Sequence, residues 1–238
     1  MTRHLSLRQD MIDTCLKMNA EGLNSGAAGN LSVRVDGGLL ITPSGIAYDK
    51  MTPEQIVEMD MEGRYYGDFV PSSEWHFHYD ILRSRPDAGA VVHSHAPNCA
   101  ILACCRLDIE PVHYMVGVAG GKVIKCSGYA PFGTPELSRL ALEALGPRNA
   151  CLLGNHGVIA LGASAAAALN VLREVEYLAR LAIGVRLLGG GVQLSDGEMD
   201  VVLKRFRTYG KQAAELTAED IDDPDRVMPP AWAGAARP

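Results

Sequence analysis

Apolar positions along this chain alternate between two rhythms, one close to 3.6 residues and one close to 2, and the switches between them outline the elements. Helical spacing comes first: Ser6 and Gln9 have the form of a capping box, and Met11, Cys15 and Met18 line one face until Gly22. Residues 31–35 and 39–42 are short apolar strands joined through Asp36-Gly37-Gly38, a hairpin sequence. Thr52-Pro53-Glu54-Gln55 begins a short helix with proline at its first position. Pro71-Ser72-Ser73 opens another, which carries Trp75, His78 and Leu82 and stops before Pro86. Stretches 88–95, 122–126, 150–153 and 158–161 read as strands. Thr134-Pro135-Glu136 starts a helix that Gly146-Pro147 ends.

A long amphipathic helix is expected over about residues 165–188, with Leu172, Val175, Leu178, Ala182 and Val185 on one stripe. Gly189-Gly190-Gly191 closes it. Ser195 and Glu198 form a second capping box, ahead of a helix bearing Met199, Val202, Phe206 and Tyr209. From Asp220 the chain turns acidic and then rich in proline and alanine, so residues 213–238 are expected to be a mobile tail. Strands and helices mix throughout residues 1–212, which predicts one layered α/β domain.

Charge narrows the partners. With 22 basic and 28 acidic residues among 238, the net charge is −6, so no broad basic field attracts nucleic acid or an anionic membrane. A phosphorylated ligand would have to be held by a few placed groups. The N-terminus mixes Arg3, Arg8, Asp10 and Asp13 in a helical pattern, without the apolar run of a signal peptide. The uncharged window 149–172 is long enough to span a bilayer, but Asn155, His156 and glycines interrupt it, so it is read as soluble structure. Cytoplasmic residence is the expectation. The six cysteines (15, 99, 104, 105, 126 and 151) include no CxxC, and are read as small buried hydrophobes in a reducing compartment.

Chemistry concentrates in three places. In Val91-Val92-His93-Ser94-His95, strand alternation turns both imidazoles to the same side, an arrangement suited to one divalent metal. A two-histidine strand lacks a third donor, and His156, set between Asn155 and Gly157 at a turn between two apolar strands, is the candidate. His4, His76, His78 and His113 lack such a setting and take core or surface roles by default. Next, Ser72-Ser73-Glu74 at a helix start offers hydroxyls and free N–H groups to an anion. The loops Gly29-Asn30 and Thr42-Pro43-Ser44-Gly45 offer backbone amides in the same way, with no lysine. Finally, Glu74 beside a metal and a phosphate is placed to act as a general base.

These residues, in this order and spacing, resemble the class II (metal-dependent) aldolases over about residues 8–212. The match runs through Gly29-Asn30-Leu31-Ser32-Val33-Arg34, Leu40-Ile41-Thr42-Pro43-Ser44-Gly45-Ile46 and Pro71-Ser72-Ser73-Glu74-Trp75. It continues through the His93/His95 strand, His113-Tyr114-Met115, Phe132-Gly133-Thr134, His156-Gly157 and Phe206-Arg207-Thr208-Tyr209-Gly210. The resemblance implies an αβα domain with a central, mostly antiparallel sheet. It implies Zn²⁺, with Mn²⁺, Co²⁺ or Fe²⁺ as substitutes, on His93, His95 and His156, and Glu74 as acid and base beside it. Asn30, Ser44, Gly45, Ser72 and Ser73 would bind phosphate. Tyr114, contributed by a neighbouring subunit of a homotetramer, would act on the aldehyde oxygen, and Phe132, Phe206 and Tyr209 would shape the aldehyde pocket.

The implied reaction is reversible cleavage of a ketose 1-phosphate, such as L-fuculose 1-phosphate, to dihydroxyacetone phosphate and a lactaldehyde-like aldehyde through a zinc-stabilised enediolate. The chain departs from the family pattern at Ala27-Ala28, where Thr-Ala is usual, and at Gly154-Asn155, where Gln-His is usual. Substrates with a similar apolar end, 5-deoxyribulose 1-phosphate and methylthioribulose 1-phosphate, therefore stay open, as does methylthioribulose-1-phosphate dehydration. The related 4-epimerases carry aspartate in place of Glu74. Adducin-like assembly modules, the non-enzymatic alternative, lack the histidine triad.

Overall fold

A computed structural model describes residues 3–212, 215–217 and 220; the expected tail, 213–238, lies almost entirely outside the described residues. Helix α1 (Leu5–Ala20) is followed by strands β1 (Asn30–Val35), β2 (Gly38–Ile41), β3 (Val57–Asp60) and β4 (Tyr65–Tyr66). Helix α2 (Trp75–Ser84), strand β5 (Ala90–Ser94) and helix α3 (Pro97–Cys104) come next. Helix α4 (Pro135–Leu145), strands β6 (Ala150–Leu153) and β7 (Gly157–Gly162), and helices α5 (Ala165–Leu187) and α6 (Asp196–Phe206) complete the order.

The strands form one open sheet in the order β4-β3-β2-β1-β5-β7-β6, antiparallel at every pair. Strand alternation sorts its side chains into two cores. Leu31, Val33, Leu40, Val92, Leu152 and Val158 pack with α1, α3 and α5 on one face. Leu39, Ile41, Val91, Cys151, Leu153 and Ile159 pack with α2 and α4 on the other. Both faces are covered, so the central strands are continuously apolar except where chemistry intrudes. Asn30, Ser32 and His93 are the buried polar residues on the α2 face.

Several expectations hold locally. The Asp36-Gly37 turn joins β1 to β2 with Val35 opposite Gly38, and Gly37 takes the left-handed φ of +77° that the turn demands. Thr52 and Gln55 cap a single 3-10 turn, Thr134 caps α4, and Ser195 with Glu198 caps α6. Others fail for physical reasons. Ser6 and Gln9 form no capping box: α1 begins at Leu5, which puts Ser6 inside the helix, and Gln9 donates to Asp13 instead. Arg8, bound to the carbonyls of Arg3, Pro53 and Ile56, ties that end down. The 122–126 stretch makes only single bridges, Ile124 to Ile109 and Cys126 to Leu152, and two different partners cannot build a ladder. Helix α2 starts at Trp75 with Glu74 at its N-cap, so Ser72 and Ser73 lie in the turn ahead of it.

All six cysteines are free, but Cys104 and Cys105 are exposed at the end of α3, against the expectation that they are buried. Burial raises the thiols of Cys15, Cys99 and Cys151, which suits inert packing residues. No helix among the described residues is long and apolar enough to cross a membrane.

Candidate metal centre

Strand β5 lies between β1 and β7, with Asn30 opposite His93 on one side and Ile159 opposite it on the other. His93 is therefore wholly buried at the carboxyl end of the central strand, and His95 follows at the mouth of a cavity. The turn before β7 delivers the third imidazole. Asn155 takes a left-handed φ of +55°, which asparagine tolerates, and its N–H donates to the Ala103 carbonyl at 2.9 Å. Gly157 then lets the turn press against β5, because a Cβ there would lie 2.4 Å from the Ser94 oxygen and 3.0 Å from the His95 ring.

The result is a cluster in which one ring nitrogen of each of His93, His95 and His156 lies within 4.8 Å of the others. His93 Nδ1 sits 3.0 Å from the Val158 carbonyl, which accepts only if Nδ1 carries the proton; Nε2 is then a lone pair aimed at the cluster. Burial, followed by the neighbouring His156 and His95, pushes the His93 imidazole well below its usual pKa. Burial and His156 lower His95 as well.

Glu74 closes the arrangement. Its Oε2 lies 3.3 Å from His93 Nε2 and its Oε1 3.3 Å from His156 Nε2. Oε2 accepts from Asn30 Nδ2 at 3.0 Å, whereas the buried Oε1 has no hydrogen-bond donor. His93 Nε2 and His95 Nε2 face each other at 3.2 Å. Neutral imidazole lone pairs crowded against a carboxylate are mutually repulsive without a positive charge among them. The donor set fits a divalent cation, which His93, His95 and His156 could hold with Glu74 beside it.

All five residues expected to bind phosphate line the same cavity of about 380 Å³: Asn30, Ser44, Gly45, Ser72 and Ser73, together with Glu74, His95 and His156. Their loops are pinned side by side, Ser44 N donating to the Val70 carbonyl and Ser72 N to the Thr42 carbonyl, each at 3.0 Å. No lysine or arginine is among the lining residues, so an anion there would meet hydroxyls and dipoles. Phe132 lines this cavity; Tyr114, Phe206 and Tyr209 do not. Those three meet around a second cavity, with Val202 and Arg205. Within one chain the proposed aldehyde residues are thus divided between two places.

Sequence reasoning missed the supports. Asn24 accepts from His95 N and donates to the Ala28 carbonyl, Tyr48 donates to that same carbonyl at 3.0 Å, and His78 bonds Asn30 and Ser32. Glu176 on α5 accepts from the N–H groups of Asn98 and Cys99, which anchors α3 directly after His95. None carries a motif; only the Glu74 to His78 spacing of one helical turn could have pointed to one of them.

The description of the Class II Aldolase and Adducin N-terminal domain matches residues 9–183. The chain belongs to the class II aldolase family. It is 49% identical over 209 residues to the 5-methylthioribulose-1-phosphate/5-deoxyribulose-1-phosphate aldolase of Rhodospirillum rubrum, covering 88% of this chain and 95% of that protein. It is 47% identical over 210 residues to the L-fuculose phosphate aldolase of Escherichia coli K12, covering 88% and 98%. A solved L-fuculose 1-phosphate aldolase superposes with a TM-score of 0.83 at 36% identity, over 85% of this chain and 96% of that one. The open antiparallel sheet between helix layers is the class II aldolase fold, and an aldolase-type lyase is the enzyme class.

Proposed function

We propose that this class II aldolase is zinc-dependent and cleaves a ketose 1-phosphate, such as L-fuculose 1-phosphate, reversibly to dihydroxyacetone phosphate and an aldehyde. The observation that carries this reading is the convergence of three imidazoles and the Glu74 carboxylate at the wall of a cavity rimmed by the serine and glycine loops. A divalent cation on His93, His95 and His156 would supply Lewis-acid polarisation of the substrate's oxygens. The remaining work falls to the chain itself. Ser44, Gly45, Ser72 and Ser73 grip the phosphate; Asn30 has a second amide hydrogen to add, since only one is used on Glu74. Glu74 moves the proton on the dihydroxyacetone phosphate carbon, its Oε1 being free of donors.

Tyr114, Phe206 and Tyr209, lining a different cavity within one chain, serve the site of a neighbouring subunit in a homo-oligomer, a homotetramer by family resemblance. There Tyr114 handles the aldehyde oxygen, and Phe206 and Tyr209 join Phe132 around the aldehyde's carbon chain. A second reading concerns the substrate alone: the name of the Rhodospirillum rubrum relative favours 5-methylthioribulose 1-phosphate or 5-deoxyribulose 1-phosphate. The test is a panel of ketose 1-phosphates and 5-phosphates offered to the zinc-loaded protein, with release of dihydroxyacetone phosphate measured. Release from 1-phosphates is expected, and the order of kcat/KM ranks the substrates. No release from any 1-phosphate would overturn the aldolase reading in favour of dehydration or epimerisation.

A further inference from the structure

Behind Glu74 lies a buried chain of hydrogen bonds that the proposed reaction does not yet use. Helix α2 carries Glu74 at its N-cap and His78 four residues on, about 6 Å along the axis. Strand β1 carries Asn30 and Ser32 two residues apart on the face towards α2, about 6.6 Å along the strand. The spacings match, so the two elements meet rung by rung. Asn30 Nδ2 donates to Glu74 Oε2 at 3.0 Å; His78 Nε2 lies 2.5 Å from Asn30 Oδ1; His78 Nδ1 lies 2.7 Å from Ser32 Oγ. His78 and Ser32 are fully buried and Asn30 is 4% exposed, so water does not compete for these groups.

The charge of Glu74 sets the direction of the whole chain. An ionised carboxylate only accepts, so the Asn30 amide must turn its NH₂ to Glu74 and its oxygen to His78. His78 must then donate from Nε2, which leaves Nδ1 to accept the Ser32 hydroxyl proton. Reversing any member would set oxygen against oxygen or hydrogen against hydrogen in a dry site, where an unmet polar group is costly.

We propose that His78 is a positioning residue for Glu74: a neutral imidazole protonated at Nε2, it locks the Asn30 amide and through it the direction of the carboxylate. This rests on the role given to Glu74 above. Two measurements on the zinc-loaded, full-length protein test it. In ¹⁵N-histidine NMR, with His78→Gln identifying the signal, His78 should be the Nε2–H tautomer at neutral pH; an Nδ1–H ring or an imidazolium overturns the proposal. In kinetics, His78→Leu should lower kcat about 10–100-fold with zinc retained and KM little changed. His78→Gln, which keeps a donor near the Nε2 position, should recover most of the loss. In an Asn30→Ala background His78→Leu should cost nothing further, because it acts only through Asn30. An equal loss in that background, or wild-type kcat in His78→Leu, overturns the proposal. The tautomer measurement decides the matter if His78→Leu does not fold. A wild-type chain inactive on every ketose 1-phosphate would sink the proposed function, and the tautomer would still judge His78.

Discussion

Gly157→Ala is a one-carbon perturbation whose effect on the candidate metal centre can be worked out from contacts. The added Cβ would stand 2.4 Å from the Ser94 carbonyl oxygen, 3.0 Å from His95 Cδ2 and 3.3 Å from His93 Cε1. The first contact is to backbone of the paired strand, where Ser94 faces Val158, so a side chain cannot simply swing away. Relief to an ordinary contact of about 3.4 Å requires about 1 Å of separation between β5 and the turn bearing His156, and overpacking of this kind costs about 1–3 kcal/mol. Metal–ligand distances tolerate only about 0.2 Å, so such a shift spoils the convergence of the three imidazoles before it unfolds the domain. Two assays follow. Zinc affinity, measured by chelator competition, should fall by about tenfold or more, which is only about 1.4 kcal/mol. The melting temperature of the metal-free protein should drop by about 2–12 °C, taking about 2–4 °C per kcal/mol for a domain of this size. Wild-type zinc affinity together with an unchanged melting temperature would refute both the close approach of the turn and the shared site.

Glu74→Gln keeps the side chain's shape and removes its base, so turnover should fall about 10²–10⁴-fold while zinc stays bound; retained activity would remove Glu74 from the chemistry. An equimolar, reassembled mixture of Glu74→Gln and Tyr114→Phe subunits should regain about a quarter of wild-type activity if each site draws Tyr114 from a neighbour, and none if each chain supplies both. Acidification should destabilise the metal-free protein. Burial lowers the His78 and His93 imidazoles below their unfolded value near 6.5, so below that pH the unfolded chain binds more protons. Stability should be level above about pH 7 and fall below about pH 6.5 by up to about 1.4 kcal/mol per pH unit for each ring. A melting temperature independent of pH between 5 and 7 would contradict the buried, neutral state of these histidines.

Much of the site is written in short-range sequence. His93 and His95 share a side because a strand repeats every two residues, and Ser195 with Glu198 caps α6 because the box is complete within four residues. The hairpin at Asp36-Gly37 and the helix breaks at Gly146 and Gly189 are legible for the same reason. Where the pattern misled, the missing information was the partner. Ser6 and Gln9 have the letters of a capping box, but Arg8's bonds to the 53–56 turn let the helix start two residues earlier, at Leu5. The 122–126 stretch has strand composition and finds two different single partners. Helix α3 is apolar without a clear period, and it is fixed by Glu176 from seventy-odd residues away.

What the sequence determined alone was the donor inventory: imidazoles at 93, 95 and 156, a carboxylate at 74, and small polar loops with no lysine. What tertiary structure decided was that these donors converge at one cavity, with His93 buried behind its wall. Setting β5 between β1 and β7 brings Asn30, His93 and the His156 turn to one end of the sheet, and packing α2 across that face lowers Glu74 and His78 onto them. Strand order follows from covering both apolar faces at once, a balance over the whole chain that no local window contains. The same balance leaves Phe206 and Tyr209 around a separate cavity with Tyr114, a separation invisible in a motif that reads Phe206 and Tyr209 as one pocket with Phe132.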